Sequence, residues 1–252
     1  MENKKSDMEA LRRRLATLER RAPWDAGLQG RADAAFDPTQ LGSGVLHDLY
    51  AESAADAAAL NAFALGCAVR AARGRTIVWT LQSMALHEGG DPYGPGLNEL
   101  GVDPGQVLLV RTTDETALLG VGEEALASPA VGAVVLSAWG EAKAFSLTAS
   151  RRLSMAARGG GGTVFMARVS AEPATSAAET RWSLRSAPSD PLEADAPGRP
   201  RIAATLTRRR GGGALQTWIM EWDRDAGSFI LPQAPGRLVP LPAHRPAGAR
   251  AA

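Results

Sequence analysis

The residues Ala51-Glu52-Ser53-Ala54-Ala55-Asp56-Ala57-Ala58 stand where a strand gives way to a helix. At such a junction a phosphate-binding loop carries G-x-x-x-x-G-K-[ST]: glycines let backbone N–H groups curl round the phosphates, lysine meets the β/γ-phosphates, and a hydroxyl holds Mg²⁺. Here alanines replace the glycines and Asp56 stands at the lysine position. A carboxylate at a helix N-terminus suits the helix dipole, but it repels a polyphosphate arriving at the same spot. The expectation is a nucleotide-binding scaffold that has lost its chemistry and carries no cofactor.

Other reactive residue types lack partners at a useful spacing. His47, His87 and His244 are the only histidines, and with the single cysteine Cys67 they offer no zinc-ligand pattern, so no metal is expected. His87-Glu88-Gly89-Gly90-Asp91 runs into Pro92 and reads as a solvated turn. Gly159-Gly160-Gly161-Gly162 leads from helix to strand, whereas phosphate loops lead from strand to helix; it reads as a helix stop. Ser137 and Ser150 have no partnered His and Asp in any recognisable motif, which leaves nucleophilic catalysis unsupported.

The elements that must position the junction are written in the hydrophobic period. Residues 45–50 read as a buried strand and 56–72 as the helix after it, with Leu60, Phe63, Ala64, Cys67 and Ala68 at i, i+3, i+4, i+7 and i+8. Residues 76–81, 106–111, 131–136 and 163–167 are short, apolar, β-branched runs of the kind parallel strands need when both faces are covered. Residues 116–127 and 144–157 give two further helices, and 181–185, 201–208 and 216–223 read as later, antiparallel strands. This alternation predicts an α/β fold: a mostly parallel sheet with helices on both faces and antiparallel C-terminal strands.

The chain's 252 residues, 45% of them hydrophobic, suffice for one α/β core, assigned to residues 41–232. Residues 1–22 read as an amphipathic helix in which Met8, Leu11, Leu15 and Leu18 are spaced 3, 4 and 3 apart among arginines, with Pro23 ending it. That helix either folds back on its own core or docks on a neighbouring subunit or partner. Residues 23–40 form a linker, and 233–252, rich in Pro, Ala and Arg without an acidic residue, are expected to be a disordered tail. Cys67 on an apolar stripe points to a reducing compartment, and no apolar run is long enough to cross a bilayer; the expected location is the cytoplasm. The formal net charge of +1 gives no global drive towards nucleic acid, though it leaves room for a local basic groove.

The segment from Pro92 to Val110, with Leu100-Gly101-Val102-Asp103 leading into a strand, is similar to the corresponding stretch of RecA recombinases. Residues 143–153 and Trp218-Ile219-Met220-Glu221-Trp222 resemble the ImuA group of RecA-like proteins. The resemblance runs from about Leu41 to Phe229. It implies a RecA-like core and a part in SOS-induced mutagenesis and translesion DNA synthesis, beside a polymerase-like partner, ImuB, and an error-prone C-family polymerase. It also implies which positions to inspect. Gln82 stands where RecA has its water-activating carboxylate, and an amide is no general base. Ser137 stands where the Walker B aspartate should help hold Mg²⁺. Arg208, Arg209 and Arg210 lie at about the place of RecA's trans-acting lysine pair. With Asp56, these losses predict a protein that is not an ATPase.

Binding surfaces are then the question. Trp79 and Trp139 either fill the vacant nucleotide space or pack ordinarily. Trp218, Met220 and Trp222 alternate, so they share one strand face: a partner surface if that face is open, core if a helix covers it. Leu238, Val239 and Leu241 of the tail could enter a partner's groove in extended form. Residues 170–178 follow a late strand, as a DNA-binding loop does in RecA, but they carry Glu172 and no cation, so direct DNA binding does not carry over. Arg181, Arg185, Arg199, Arg201 and Arg208 to Arg210 could still form a basic patch. The reading that results is a non-catalytic adaptor binding ImuB, with RecA itself a further candidate partner; the alternatives are an ATP-independent DNA-binding repair factor and a SulA-like cell-division inhibitor.

Overall fold

The computed structural model describes residues 7–14 and 41–231, apart from 142, 197, 213 and 214. Helix α1 spans residues 7–14. Strand β1 (Leu46–Ala51) leads through a short 3-10 turn into α2 (Ala57–Ala72), then β2 (Thr76–Gln82), α3 (Ser83–Gly89), α4 (Gly94–Glu99), β3 (Val107–Thr112) and α5 (Glu115–Leu126). The chain continues as β4 (Val131–Trp139), α6 (Leu147–Gly160), β5 (Thr163–Val169), β6 (Thr180–Ala187), β7 (Arg201–Arg209), β8 (Thr217–Asp223) and β9 (Ser228–Ile230).

These strands form one sheet in the order β3-β2-β4-β5-β1-β6-β7-β8-β9. Pairing is parallel from β3 to β6 and antiparallel from β6 to β9. The arrangement is consistent with a RecA-like core. Against the sequence expectation, β6 is not wholly antiparallel: it pairs parallel with β1 on one side and antiparallel with β7 on the other. The hydrophobic pattern of a strand does not encode its direction; the long crossover from β5 decides it. Residues 83–89, whose end was expected in a solvated turn, form α3, with Gly90 at φ 81° closing it. A helix at residues 94–99 and a short strand at 228–230 were also not anticipated.

Each face of the sheet buries its own cluster. Beneath α2 lie Phe63, Ala64, Cys67, Trp182, Met220, Trp222 and Phe229, so the predicted stripe is the core-facing one. Burial pushes the Cys67 thiol up, away from thiolate chemistry. Gly66 lets α2 approach the last strands, since a Cβ there would lie 2.6 Å from a Trp222 ring carbon and 2.7 Å from one of Phe229. The other face carries α5, α6 and α1 over Leu118, Leu126, Leu136, Leu153 and Met166, with Leu11 among them. Helix starts follow local chemistry: Asp114 accepts from the Ala117 amide at 2.8 Å and Ser146 from the Ala149 amide at 3.2 Å. Gly161, at φ 69°, ends α6 as the glycine run predicts.

A buried polar chain fastens β1 to β6. His47 Nε2 lies 2.9 Å from the Gly42 carbonyl, which can only accept, so that nitrogen carries the proton. Nδ1 then accepts from the Thr180 hydroxyl at 2.8 Å, and the Thr180 oxygen accepts from Trp182 Nε1 at 2.7 Å. Burial, only partly opposed by the Gly42 bond, lowers the His47 pKa from 6.5 to about 4. The unfolded chain therefore takes up a proton that the folded one refuses. Between pH 6.5 and about 4 this costs the fold roughly 3 kcal/mol, stability being full above that window. Urea midpoints followed across these pH values should fall more steeply for the wild type than for His47→Gln; parallel slopes would refute the assignment.

Candidate functional site

At the end of β1 the degenerate junction is bonded down onto β6. The Glu52 amide donates to the Leu184 carbonyl at 2.9 Å, and the Ser183 hydroxyl and Arg185 guanidinium reach the Glu52 carboxylate at 3.4 and 3.6 Å. Asp56 makes no side-chain cap to its own helix. Instead its carboxylate accepts from the Ser53 hydroxyl at 2.6 Å and from the Ser186 amide at 2.8 Å. Burial pushes the Asp56 pKa upward, but these bonds outweigh it and hold the carboxyl below its usual range. Ala51, Ala54, Ala55 and Ala57 complete the junction without a polar side chain, and the Ser53 hydroxyl is engaged by Asp56.

The two neighbouring positions are similarly engaged. Gln82 Oε1 accepts from the Trp139 amide at 3.1 Å. Ser137 accepts from Trp79 Nε1 at 3.0 Å and donates to Asn61 Oδ1 at 3.0 Å, linking β2, β4 and α2. Trp79 is buried in the core beneath α2, with Trp139 packed at its margin. Among the described residues no group of three or more His, Cys, Asp or Glu side chains could hold a metal ion.

The anticipated basic patch separates into two sets. Arg181 meets buried Asp48 at 3.3 Å, Arg185 meets Glu52, Arg199 meets Asp223 at 3.3 Å, and Arg201 meets Glu221 at 3.0 Å, so these four are paired. Arg208 is different. Its Nη2 donates to the Ser176 carbonyl at 3.3 Å and to the Ala178 carbonyl, while its buried Nε has no partner. It stands with Arg210 in a groove of about 370 Å³ whose opposite wall is α6, with Arg151, Met155 and Arg158. Arg209 points elsewhere in the alternation of β7.

Residues 170–178, read as a DNA-loop equivalent without cations, are held over the sheet by a buried cluster. Asp48 accepts from Ser176 Oγ and from Arg181. Arg168, 2% exposed, stacks its guanidinium 4.0 Å from the Phe145 ring centroid and 5.2 Å from that of Tyr50.

Comparison with protein-family profiles gives no match. Two curated relatives, each called Protein ImuA and from the Caulobacter vibrioides strains NA1000 / CB15N and ATCC 19089 / CIP 103742 / CB 15, are 35% identical to the chain over 160 residues. This chain is similar to ImuA proteins. The match covers 59% of this chain and 61% of each relative, so the chain spans less than two thirds of their length.

The surfaces expected from the sequence to meet a partner fall out unevenly. Met220 and Trp222 are 0% and 5% exposed beneath α2, and half-buried Trp218 lies 5.7 Å from Trp182 between ring centroids. A helix covers that strand face, so it is core and not an open surface. Leu11 is buried against α5, and Arg12 holds Glu124 through bonds of 2.6 and 3.1 Å, which places residues 7–14 on the chain's own core. Leu15, Leu18, Leu238 and Leu241 lie outside the described residues. Sequence reasoning missed Arg151, Met155 and Arg158. Their i, i+4 and i+7 spacing puts them on one helix face, but only β7 across the groove gives that face a meaning.

Proposed function

We propose that this chain is a non-catalytic, RecA-like adaptor of SOS-induced mutagenesis and translesion synthesis, binding ImuB and, in the same assembly, RecA and the error-prone C-family polymerase. The observation that carries the non-catalytic reading is the closure of the junction onto β6 through Asp56 and Ser186, with Gln82 and Ser137 engaged beside it. Phosphate binding needs open, convergent N–H groups and a cation; here a hydrogen-bonded carboxylate takes that place. The pairing of Arg181, Arg185, Arg199 and Arg201 with carboxylates removes most of the basic patch that a DNA-binding factor would use.

Isothermal titration of the purified protein with ATP and Mg²⁺ should give no binding heat, and Asp56→Lys alone should not generate hydrolysis, because Gln82 and Ser137 still lack a base and a metal ligand. Micromolar ATP binding by the wild type would overturn the non-catalytic reading. The adaptor reading is tested separately by co-purification with ImuB from the same genome, and it fails if the two purified proteins do not associate.

A further inference from the structure

The groove between α6 and the end of β7 is a described surface at which several arginines converge without a countercharge. Its lining includes Arg151, Arg158, Arg208 and Arg210 and no Asp or Glu. Among the described residues, Arg151, Arg158 and Arg210 are exposed and form no salt bridge, whereas the adjacent Arg152 turns away to hold Glu123. Arg208 is fixed as a wall by the carbonyls of Ser176 and Ala178, with its Nε buried and unpartnered. Its donors are thus taken up inside the wall, and it contributes fixed positive charge beside the exposed guanidinia of Arg151, Arg158 and Arg210.

The apolar part of the groove narrows the choice. Met155, 72% exposed, lies between Arg151 and Arg158 on the same face of α6, with Leu147 one further turn back. Seven residues of helix separate the two arginines by about 10 Å along the axis. The order along the wall is thus cation, adaptable apolar side chain, cation. Arg and Met are enriched in protein interfaces, and an exposed Met shapes itself to a partner's side chain. A groove for single-stranded nucleic acid would pair its cations with aromatic platforms for bases, and no aromatic residue lines this one.

We infer that this groove binds an acidic peptide segment of a protein partner, its carboxylates on Arg151, Arg158 and Arg210, beside the fixed charge of Arg208, and an apolar side chain between them on Met155. The inference rests on the adaptor reading and names the chemistry of its binding surface.

The test is fluorescence anisotropy of the full chain with a labelled twelve-residue peptide repeating Asp-Glu-Leu, the same peptide with Leu replaced by Ser, and a labelled oligo(dT). The Asp-Glu-Leu peptide should bind, and more tightly than its Ser counterpart. Arg151→Glu/Arg158→Glu should weaken it on the order of tenfold or more, Met155→Ala should erase the preference for Leu, and Arg152→Glu should leave both unchanged. All four side chains are exposed, and thermal melts would verify that each variant folds. Equal binding of the Leu and Ser peptides, indifference to the double charge reversal, or a stronger response of oligo(dT) than of the peptide to that reversal would each overturn the proposal, the last in favour of nucleic acid. ImuB association measured on the double variant keeps the two readings apart: ImuB bound by the wild type while the peptide results fail leaves the adaptor standing and removes the groove.

Discussion

Asp48→Ala is expected to destabilise the fold by about 3–5 kcal/mol, the cost of removing one partner from a buried ion pair. Asp48 is 0% exposed on β1, and its carboxylate meets Arg181 at 3.3 Å and Ser176. Removing the Asp48 carboxylate leaves the Arg181 guanidinium, 14% exposed, without its countercharge, which costs more than the lost bonds themselves. Because Ser176 and Arg181 also hold residues 170–178 in place, the change should loosen that segment, and with it the floor of the arginine groove at Ser176 to Ala178. Urea denaturation should show a lower midpoint at unchanged slope, and amide exchange at residues 174–178 should accelerate beyond the global loss. A midpoint shift no larger than that of Arg199→Ala, which removes a half-exposed surface pair worth at most about 1 kcal/mol, would contradict the account.

Trp182→Ala should cost a comparable about 3–5 kcal/mol through the cavity it leaves. Trp182 is 0% exposed on β6, with ring centroids 5.9 Å from Phe63 of α2 and 5.7 Å from Trp218 of β8. It joins the parallel half of the sheet to the antiparallel half under one helix. Its indole N–H also satisfies Thr180, so truncation disturbs the chain from Trp182 through Thr180 to His47. Trp182→Phe should recover part of the loss by refilling volume without restoring the bond. Trp218→Ala, at a half-buried position, should cost clearly less. Equal losses for Trp182→Ala and Trp218→Ala would show that the aromatic cluster is not centred as described.

The sequence by itself determined most of the strands and helices of the core and the residue types of the junction after β1. Apolar period fixes which face of α2 is buried, since Leu60, Phe63, Ala64, Cys67 and Ala68 can hide together on only one side. Residue type alone removes lysine, carboxylate and glycine from Asp56, Gln82, Ser137 and the alanines between, whatever the fold does with them. Tertiary structure decided the rest. The direction of β6 depends on how the chain returns from β5, and local pattern carries no record of that path. Whether Trp218, Met220 and Trp222 face solvent or core depends on Gly66 letting α2 come within reach of the last strands. Above all, charge in a sequence has no sign of use. Arg181, Arg185, Arg199 and Arg201 look as free as any arginine until carboxylates distant in the chain, such as Asp48 and Glu221, are folded against them. Arg151 and Arg158 look like an ordinary solvated helix face until Arg208 and Arg210 are brought opposite, because electrostatic complementarity is set by distances in space and the chain order does not contain them.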